Sequence, residues 1–242
     1  MVWESNSDTD MKIPTLLSTL IASLAISAAA TAGEQAPNSL SDKEKADGWK
    51  LLFDGKNTDQ WKSFKVDTFP SKGWKVDEGW LVKIGGERGG NLLTKEEFTD
   101  FEFSWEWRMA EGGNNGVKYF VDESRGNIGH EYQMLAQPGK KPTNSYTGSF
   151  YAVAAPTGKI DIKLPPETNH SRIVVKGDNV QHWLNGILVL EYVCGSKEIL
   201  DGVANSKFKK DRDFGKKLTA RIMLTDHGSE CAFRNLKIRE LK

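Results

Sequence analysis

Several acidic and amide side chains stand at spacings suited to handling a sugar. Glu131 and Gln133 lie two apart in the strand-like run His130 to Leu135, so both project from one side, where they could bind hydroxyls. Glu131 is also a candidate proton donor. Glu102, Ser104, Glu106 and Arg108 alternate with Phe101, Phe103, Trp105, Trp107 and Met109 in an unbroken period of two. Two glutamates on one strand face suggest a retaining glycosidase, a mechanism that needs carboxyl groups about 5 Å apart. Four residues along a strand separate the Cα atoms of Glu102 and Glu106 by roughly 13 Å, which disfavours that pair. The preferred reading sets Glu106 against Glu131 across strands as a sugar-binding or acid pair, with Arg108 on the same polar row as Glu106. The plain alternative is a solvated face laced with weak ion pairs. Tyr151 and Trp183 could stack on or bond a pyranose ring, with Asn185 two residues on as a hydroxyl ligand, although an aromatic more commonly packs in a core.

These side chains need a sheet to hold them. A strand with five large apolar residues on one side must pack on a second layer, which places Phe101 to Met109 at the centre of a sheet. Further short strand-like runs alternate with turn signals. Trp49 to Phe53 ends in Asp54-Gly55, Gly73 to Val76 in Glu78-Gly79, and Trp80 to Ile84 in Gly85-Gly86. Gly112-Gly113-Asn114-Asn115-Gly116 reads as the turn before Val117 to Val121. Ile173 to Lys176 leads through Gly177-Asp178-Asn179 into Val180 to Leu184, and Asn185-Gly186 starts a hairpin into Ile187 to Tyr192. Only Lys95 to Phe98 and Lys197 to Ala204 read as short helical turns. With no long repeat and no change of composition regime, the pattern predicts one antiparallel two-sheet domain.

Met11-Lys12 opens an apolar run from Ile13 to Ala30 without Lys or Arg, ending in Ala30-Thr31-Ala32 before Gly33. That is the pattern of a cleaved export signal, and it predicts a periplasmic or secreted protein. Glu4, Asp8 and Asp10 are acidic where a signal should be basic, which favours Met11 as the natural start. The Ala-rich end and the cleavage pattern argue against an uncleaved anchor, and the lack of a Cys after the run argues against a lipid anchor. Residues 1–32 are thus read as extension and signal, 33–44 as a linker whose segment Glu34 to Leu40 is mobile, and 45–242 as the domain.

The 210 residues after Ala32 suffice for one well-cored domain. Lys plus Arg equals Asp plus Glu at 33 each, so no global field recruits nucleic acid or anionic lipid, and a neutral saccharide or glycoside is the expected partner. Cys194 and Cys231 are the only cysteines. A bridge between them would contribute roughly 4 kcal/mol, and a pair of buried free thiols is an equal alternative. Four histidines and two cysteines show no zinc-ligand spacing, and no cofactor is expected.

A series of short motifs gives a more specific reading. Leu51-Leu52-Phe53-Asp54-Gly55-Lys56, Gln60-Trp61 and Gly73-Trp74-Lys75-Val76-Asp77-Glu78-Gly79 resemble the opening of the 3-keto-disaccharide hydrolase domain family. In the family's order follow Gly113-Asn114-Asn115-Gly116-Val117-Lys118-Tyr119, Glu131-Tyr132-Gln133-Met134-Leu135, Thr147-Gly148-Ser149-Phe150-Tyr151 and Gln181-His182-Trp183-Leu184-Asn185-Gly186. Ser206-Lys207-Phe208, Asp226-His227-Gly228 and Phe233-Arg234-Asn235-Leu236-Lys237-Ile238 complete the series, which runs from Gly48 to the C-terminus. The resemblance implies an all-β, concanavalin A-like jelly-roll sandwich of two curved antiparallel sheets, with saccharide on the concave face. It also implies action on glycosides already oxidised to a ketone at C3.

A ketone at C3 acidifies the hydrogen at C2. A base can remove it, the enolate can expel the aglycone from C1, and water adding to the enone completes a net hydrolysis. The site then needs a base near C2, a cation or donor at the C3 oxygen, and an acid at the leaving oxygen. His227 is the candidate base, since its ordinary pKa lies near neutrality. Asp226 could orient it or bind substrate, though strand neighbours point to opposite faces. Lys118 is the candidate for the enolate oxygen and, by simple alternation, would share a face with Phe120. Glu131, or Glu106, is the acid. Against these stand a turn role for His227 and an exposed strand lysine at 118.

The chain departs from the family where Ala220-Arg221-Ile222-Met223-Leu224-Thr225 replaces Gly-His-Ile-Ala-Leu-Gln, putting Arg221 and Thr225 at the neighbouring His and Gln. Asn114-Asn115-Gly116 replaces Asn-Ser-Gly and keeps the turn geometry. The basic stretch Lys207 to Lys217 reads as a solvated loop pinned by Phe208 and Phe214 that could wall one end of the groove. Calcium is common on jelly rolls, but no acidic loop here has a ligand pattern for it. A lectin-like domain without chemistry and, further off, a conventional glucanase are the alternatives to the enzyme on this fold.

Overall fold

The structure is a computed structural model that describes residues 35–242. The export signal read at 1–32 lies outside the described residues. The described strands are β1 (Lys50–Leu51), β2 (Trp61–Ser63), β3 (Trp74–Asp77), β4 (Trp80–Lys83), β5 (Leu92–Thr94), β6 (Phe101–Arg108) and β7 (Asn114–Val121). They continue as β8 (His130–Leu135), β9 (Asn169–Lys176), β10 (Asn179–Leu184), β11 (Ile187–Val193), β12 (Arg221–Leu224) and β13 (Cys231–Glu240). They form two antiparallel sheets. The long sheet runs β11-β10-β9-β6-β13-β4-β3 with β1 added on β13, and the short sheet runs β2-β5-β12-β7-β8. Connections pass repeatedly from one sheet to the other, as in a jelly-roll sandwich. Among the described residues, no helix is long and apolar enough to cross a membrane.

Strand β6 sits in the middle of the long sheet and buries Phe101, Phe103, Trp105, Trp107 and Met109 between the layers. Opposite them the short sheet buries Val117, Tyr119, Tyr132, Met134, Ile222 and Leu224. Trp105 meets Tyr132 edge-on at 5.1 Å between ring centroids. Burying each such side chain is worth roughly 1.5–3 kcal/mol, so this row is a main source of cohesion. The hairpin expected at Asn185-Gly186 forms with φ of 49° and 82°, the paired left-handed conformation that Asn-Gly tolerates best.

The core also carries a polar chain that crosses between the sheets. His182 Nε2, Tyr119 Oη, Tyr192 Oη and His130 Nδ1 are linked at 2.8, 2.6 and 2.8 Å. The Gly215 N–H donates to His130 Nε2, and His182 Nδ1 donates to the Gly148 carbonyl. These backbone ends fix the direction throughout: His130 donates to Tyr192, Tyr192 to Tyr119 and Tyr119 to His182. Every buried polar atom in the chain is satisfied only while both imidazoles are neutral.

The structure corrects the sequence reading in four places. Gly112 to Gly116 is not all turn, because β7 begins at Asn114 and Asn114, Asn115 and Gly116 pair with Leu135, Met134 and Gln133. Lys118 does not share a face with Phe120: Phe120 has a φ of 58°, and two residues of β7 stand against one of β12. This bulge, with Tyr119 and Phe120 against Ile222, turns both β7 residues into the core. Lys95 to Phe98 is not helical and ends in a bridge between Phe98 and Ala220, whereas Lys197–Ala204 is a helix capped by Ser196. The segment expected to be mobile is tied down at Asn38, whose side chain donates to the Gly79 carbonyl at 2.8 Å and accepts the Asn235 N–H at 2.8 Å. A short helix, Asp42–Ala46, follows with a Ser41–Glu44 capping box. Cys194 and Cys231 are buried free thiols.

Candidate active site on the outer face of the short sheet

Strands β7 and β8 set Lys118 opposite Glu131 and Gly116 opposite Gln133. All four lie on the face turned away from the aromatic core. Glu131 is nevertheless only 6 % exposed, because neighbouring side chains roof it. It sits in the space left by Gly116, where a Cβ would come within 2.2 Å of Glu131 Oε1. The Lys118 ammonium lies 3.9 Å from Glu131 Oε2 and donates to the Asn127 carbonyl at 2.9 Å. Burial raises the pKa of Glu131, against the opposing charges of Lys118, His227 and Lys207. Burial lowers that of Lys118, with Glu131 pulling the other way and Lys207 adding to the depression. Glu131 is therefore biased toward its protonated form, in a setting that favours negative charge nearby.

Tyr151 and Lys207 close one side. The Tyr151 N–H donates to the Glu131 carbonyl at 3.0 Å, which ties Tyr151 to the edge of β8. Lys207 donates to Tyr151 Oη at 3.3 Å, with its ammonium 4.5 Å from the ring centroid. Lys207 stands on a loop anchored by the Phe208–Phe214 stack, with centroids 4.1 Å apart, and by the Arg125–Asp211 ion pair. The basic stretch thus reaches Tyr151 through Lys207. That Lys207 enters the site was missed; the flanking Phe208 and Phe214 were the signal that this loop is held rather than free. Gln133 is near the other side and donates to Asn114 Oδ1 at 2.7 Å.

His227 lies just past β12, exposed, and close enough for its charge to bear on Glu131. Asp226 does not orient it. Its Oδ2 accepts the N–H groups of Gly89 and Gly90, both at 2.9 Å, and its Oδ1 pairs with the buried ammonium of Lys83 at 3.0 Å. Burial alone would raise the pKa of Asp226, but Lys83 and the two N–H groups outweigh it and hold the carboxyl below its ordinary range. Asp226 thus anchors the loop before β5 to the end of β12 instead of offering a free carboxylate.

The remaining candidates lie elsewhere. Glu106 is on the long sheet, where Arg234 and Asn235 bond its two oxygens at 2.7 Å each, so the expected pairing with Glu131 does not form. Glu102 is held by Arg172 and Arg239, and Ser104 bonds His170. The polar row of β6 is the ion-paired lace of the plain reading. Arg108 stacks on Trp80 at 4.4 Å on that same sheet. Trp183 is covered by Arg172, and Asn185 uses its amide on the backbone of His170 and Asp161. None of Glu106, Arg108, Trp183 and Asn185 joins the Glu131 cluster. At the positions that depart from the family, Arg221 pairs with Glu123 and Glu97, while Thr225 bonds Asn115 at 3.0 Å. Among the described residues, no group of three or more His, Cys, Asp or Glu could hold a metal ion.

A family model for the 3-keto-alpha-glucoside-1,2-lyase-like domain matches residues 48–239, which span both sheets and every member of this cluster. The chain belongs to that family. A 3-keto-disaccharide hydrolase of Bacteroides thetaiotaomicron is 30% identical over 233 residues, covering 81% of this chain and 79% of that protein. A solved structure from Parabacteroides distasonis, assigned to the glycosyl hydrolases, superposes with a TM-score of 0.74 at 30% identity, over 85% of this chain and 100% of that one. A second from the same organism, assigned likewise, gives 0.64 at 25% identity, over 80% and 99%. For this member of the 3-keto-alpha-glucoside-1,2-lyase-like family, the likeness covers the whole sandwich.

Proposed function

We propose that the chain is a carbohydrate hydrolase that cleaves 3-keto-glycosides, disaccharides among them, by elimination followed by hydration. One observation carries the reading: a buried carboxyl group, Glu131, lies 3.9 Å from the Lys118 ammonium, with His227 and Lys207 close enough for their charges to bear on it. Asp226 and Glu123, the acids bordering this region, are neutralised by Lys83 and by Lys62 and Arg221. Displacement at C1 by the ordinary glycosidase route uses two carboxylates. Elimination from a ketone uses one acid, one base and a positive charge for the enolate, which is the set gathered here. Plain sugar binding gives no reason to bury a carboxyl among cations.

In this reading His227 takes the C2 proton, and the Lys118 ammonium steadies the negative charge that moves onto the C3 oxygen. Glu131, whose pKa burial raises, gives its proton to the oxygen leaving C1. The ring is then an enone. Water adds at C1 and loses a proton to Glu131, while His227 returns its proton to C2, so both groups are restored and the net change is hydrolysis. Tyr151 and Gln133 border the sugar. The name of the Bacteroides relative and the family's description support the substrate class. The signal-like run before Gly33 supports export, so the enzyme would meet its substrate in the periplasm or outside the cell.

The test is incubation of the purified protein with a 3-keto-disaccharide beside its unoxidised parent, following enone and free aglycone. Cleavage of the keto compound alone is expected. Equal cleavage of both, or binding without cleavage of either, would refute the reading.

A further inference from the structure

A cavity of about 420 Å³ adjoins the Glu131 cluster, lined in part by Ser63, Phe64, Arg88, Asn91, Asn127 and Asp226. It borders the reactive groups: its lining residue Asn127 accepts the Lys118 ammonium on its carbonyl, and Asp226 directly precedes His227. Its walls are fixed. Lys83 donates to the carbonyls of Ile84 and Glu87 at 2.7 and 2.6 Å, Asp226 holds Gly89 and Gly90, and Asn91 Nδ2 donates to Asn127 Oδ1 at 3.1 Å. Gly89 lies so close to the neighbouring chain that a Cβ there would stand 2.1 Å from the Lys72 carbonyl oxygen. The backbone that carries Arg88 is therefore well braced.

Arg88 is exposed, and its guanidinium holds no carboxylate among the described residues. Of the acidic groups nearby, Asp226 is neutralised by Lys83, and Glu87 accepts the Gly73 N–H at 3.1 Å. The cavity thus presents one unpaired guanidinium, a half-buried aromatic ring and the amide nitrogen of Asn127. A guanidinium suits a carboxylate in two-point contact.

We infer that this cavity is the aglycone subsite and that it selects an aglycone bearing a carboxylate, a uronic-acid-type sugar whose ring lies on Phe64 and whose carboxylate meets Arg88. The inference rests on the cleavage reading above for its position next to Lys118, but the binding it claims can be measured without turnover.

Calorimetric or NMR titration of the intact protein with free glucuronate and with glucose provides the test. Glucuronate should bind at least about 10-fold more tightly, as a hydrogen bond to a charged group typically confers. The preference should shrink at high salt and vanish in Arg88→Met. Because Arg88 is exposed, that variant should fold. Equal affinity for the two sugars, no binding of either, or an undiminished preference in Arg88→Met would overturn the inference. A second measurement compares kcat/KM for 3-keto-glucosides of an acidic and a neutral sugar, whose ratio should collapse toward unity in Arg88→Met. Should both be cleaved equally well by the wild type, the subsite assignment falls and the activity stands. Should neither be cleaved while glucuronate still binds through Arg88, the activity falls and the subsite stands.

Discussion

Gly116 and Glu131 are shaped around one another: the Glu131 carboxylate fills the volume that a side chain at 116 would need, with Oε1 only 2.2 Å from the place of a Cβ. The backbone of Gly116 has no left-handed φ, so it is the missing side chain that the site uses. Gly116→Ala should therefore push Glu131 from its place beside Lys118. A displacement of about 1 Å in a reacting group can cost on the order of 10²-fold in rate, and a loss of that size in kcat is expected. Stability should change little, since the roughly 0.4–1 kcal/mol gained by restricting the unfolded chain works against the local clash. Turnover measured beside thermal unfolding checks both halves.

Lys118→Met should lower kcat more than it raises KM, because its charge matters most when the enolate forms. The pH profile carries a second signature. If Glu131 must be protonated, activity is present below its pKa and is lost as pH rises through that value, which burial has moved upward. Glu131→Gln should remove that descending limb along with most of the rate. A limb that survives in Glu131→Gln would assign the acid elsewhere.

The buried His130–Tyr192–Tyr119–His182 chain sets the acid stability. Burial pushes His130 down to about 3, with His182 and Arg125 adding to the effect, and burial pushes His182 down to about 4. Both imidazoles regain the ordinary value of 6.5 when the chain unfolds, so below that pH the unfolded state binds more protons and stability falls as pH falls. Each histidine contributes on the order of 1.4 kcal/mol per pH unit across the interval from about 6.5 down toward 4. Urea unfolding at pH 7, 6, 5 and 4 should show the decline, and a flat profile would contradict it.

Glu106→Gln should leave kcat and KM unchanged, since Glu106 pairs with Arg234 on the other sheet. The half-exposed pair should cost at most about 1 kcal/mol when broken. A large loss of activity would return the chemistry to the long sheet.

The sandwich was legible because its signals are local. The alternation from Phe101 to Met109 announces its buried face, and Asn185-Gly186 announces a hairpin that the φ values reproduce. The pairing of Lys118 with Glu131 was less accessible, since cross-strand register depends on which strands meet. Two local devices also misled simple alternation. The bulge at Phe120 rotates one residue out of phase, and Gly116, which reads as a turn residue, is a strand residue used for its lack of a side chain. Charge pairing was invisible too: Glu106 and Asp226 look like free acids in a sequence, and only long-range contacts with Arg234 and Lys83 show that they are neutralised. Lys207 looked like one cation among many on a polar loop until the Phe208–Phe214 stack placed it over Tyr151.

The central claim is that the bond to hydrogen at C2 breaks before the aglycone leaves. A 3-keto-glucoside carrying deuterium at C2 should be cleaved more slowly than its unlabelled twin by the wild-type protein, with a primary isotope effect on kcat/KM. In His227→Ala, which should lose roughly 10²- to 10⁴-fold in rate, the residual reaction should keep that effect. Cleavage at the same rate with and without the label, together with full activity in His227→Ala, would mean that C1 is attacked directly and that elimination is not how this site works.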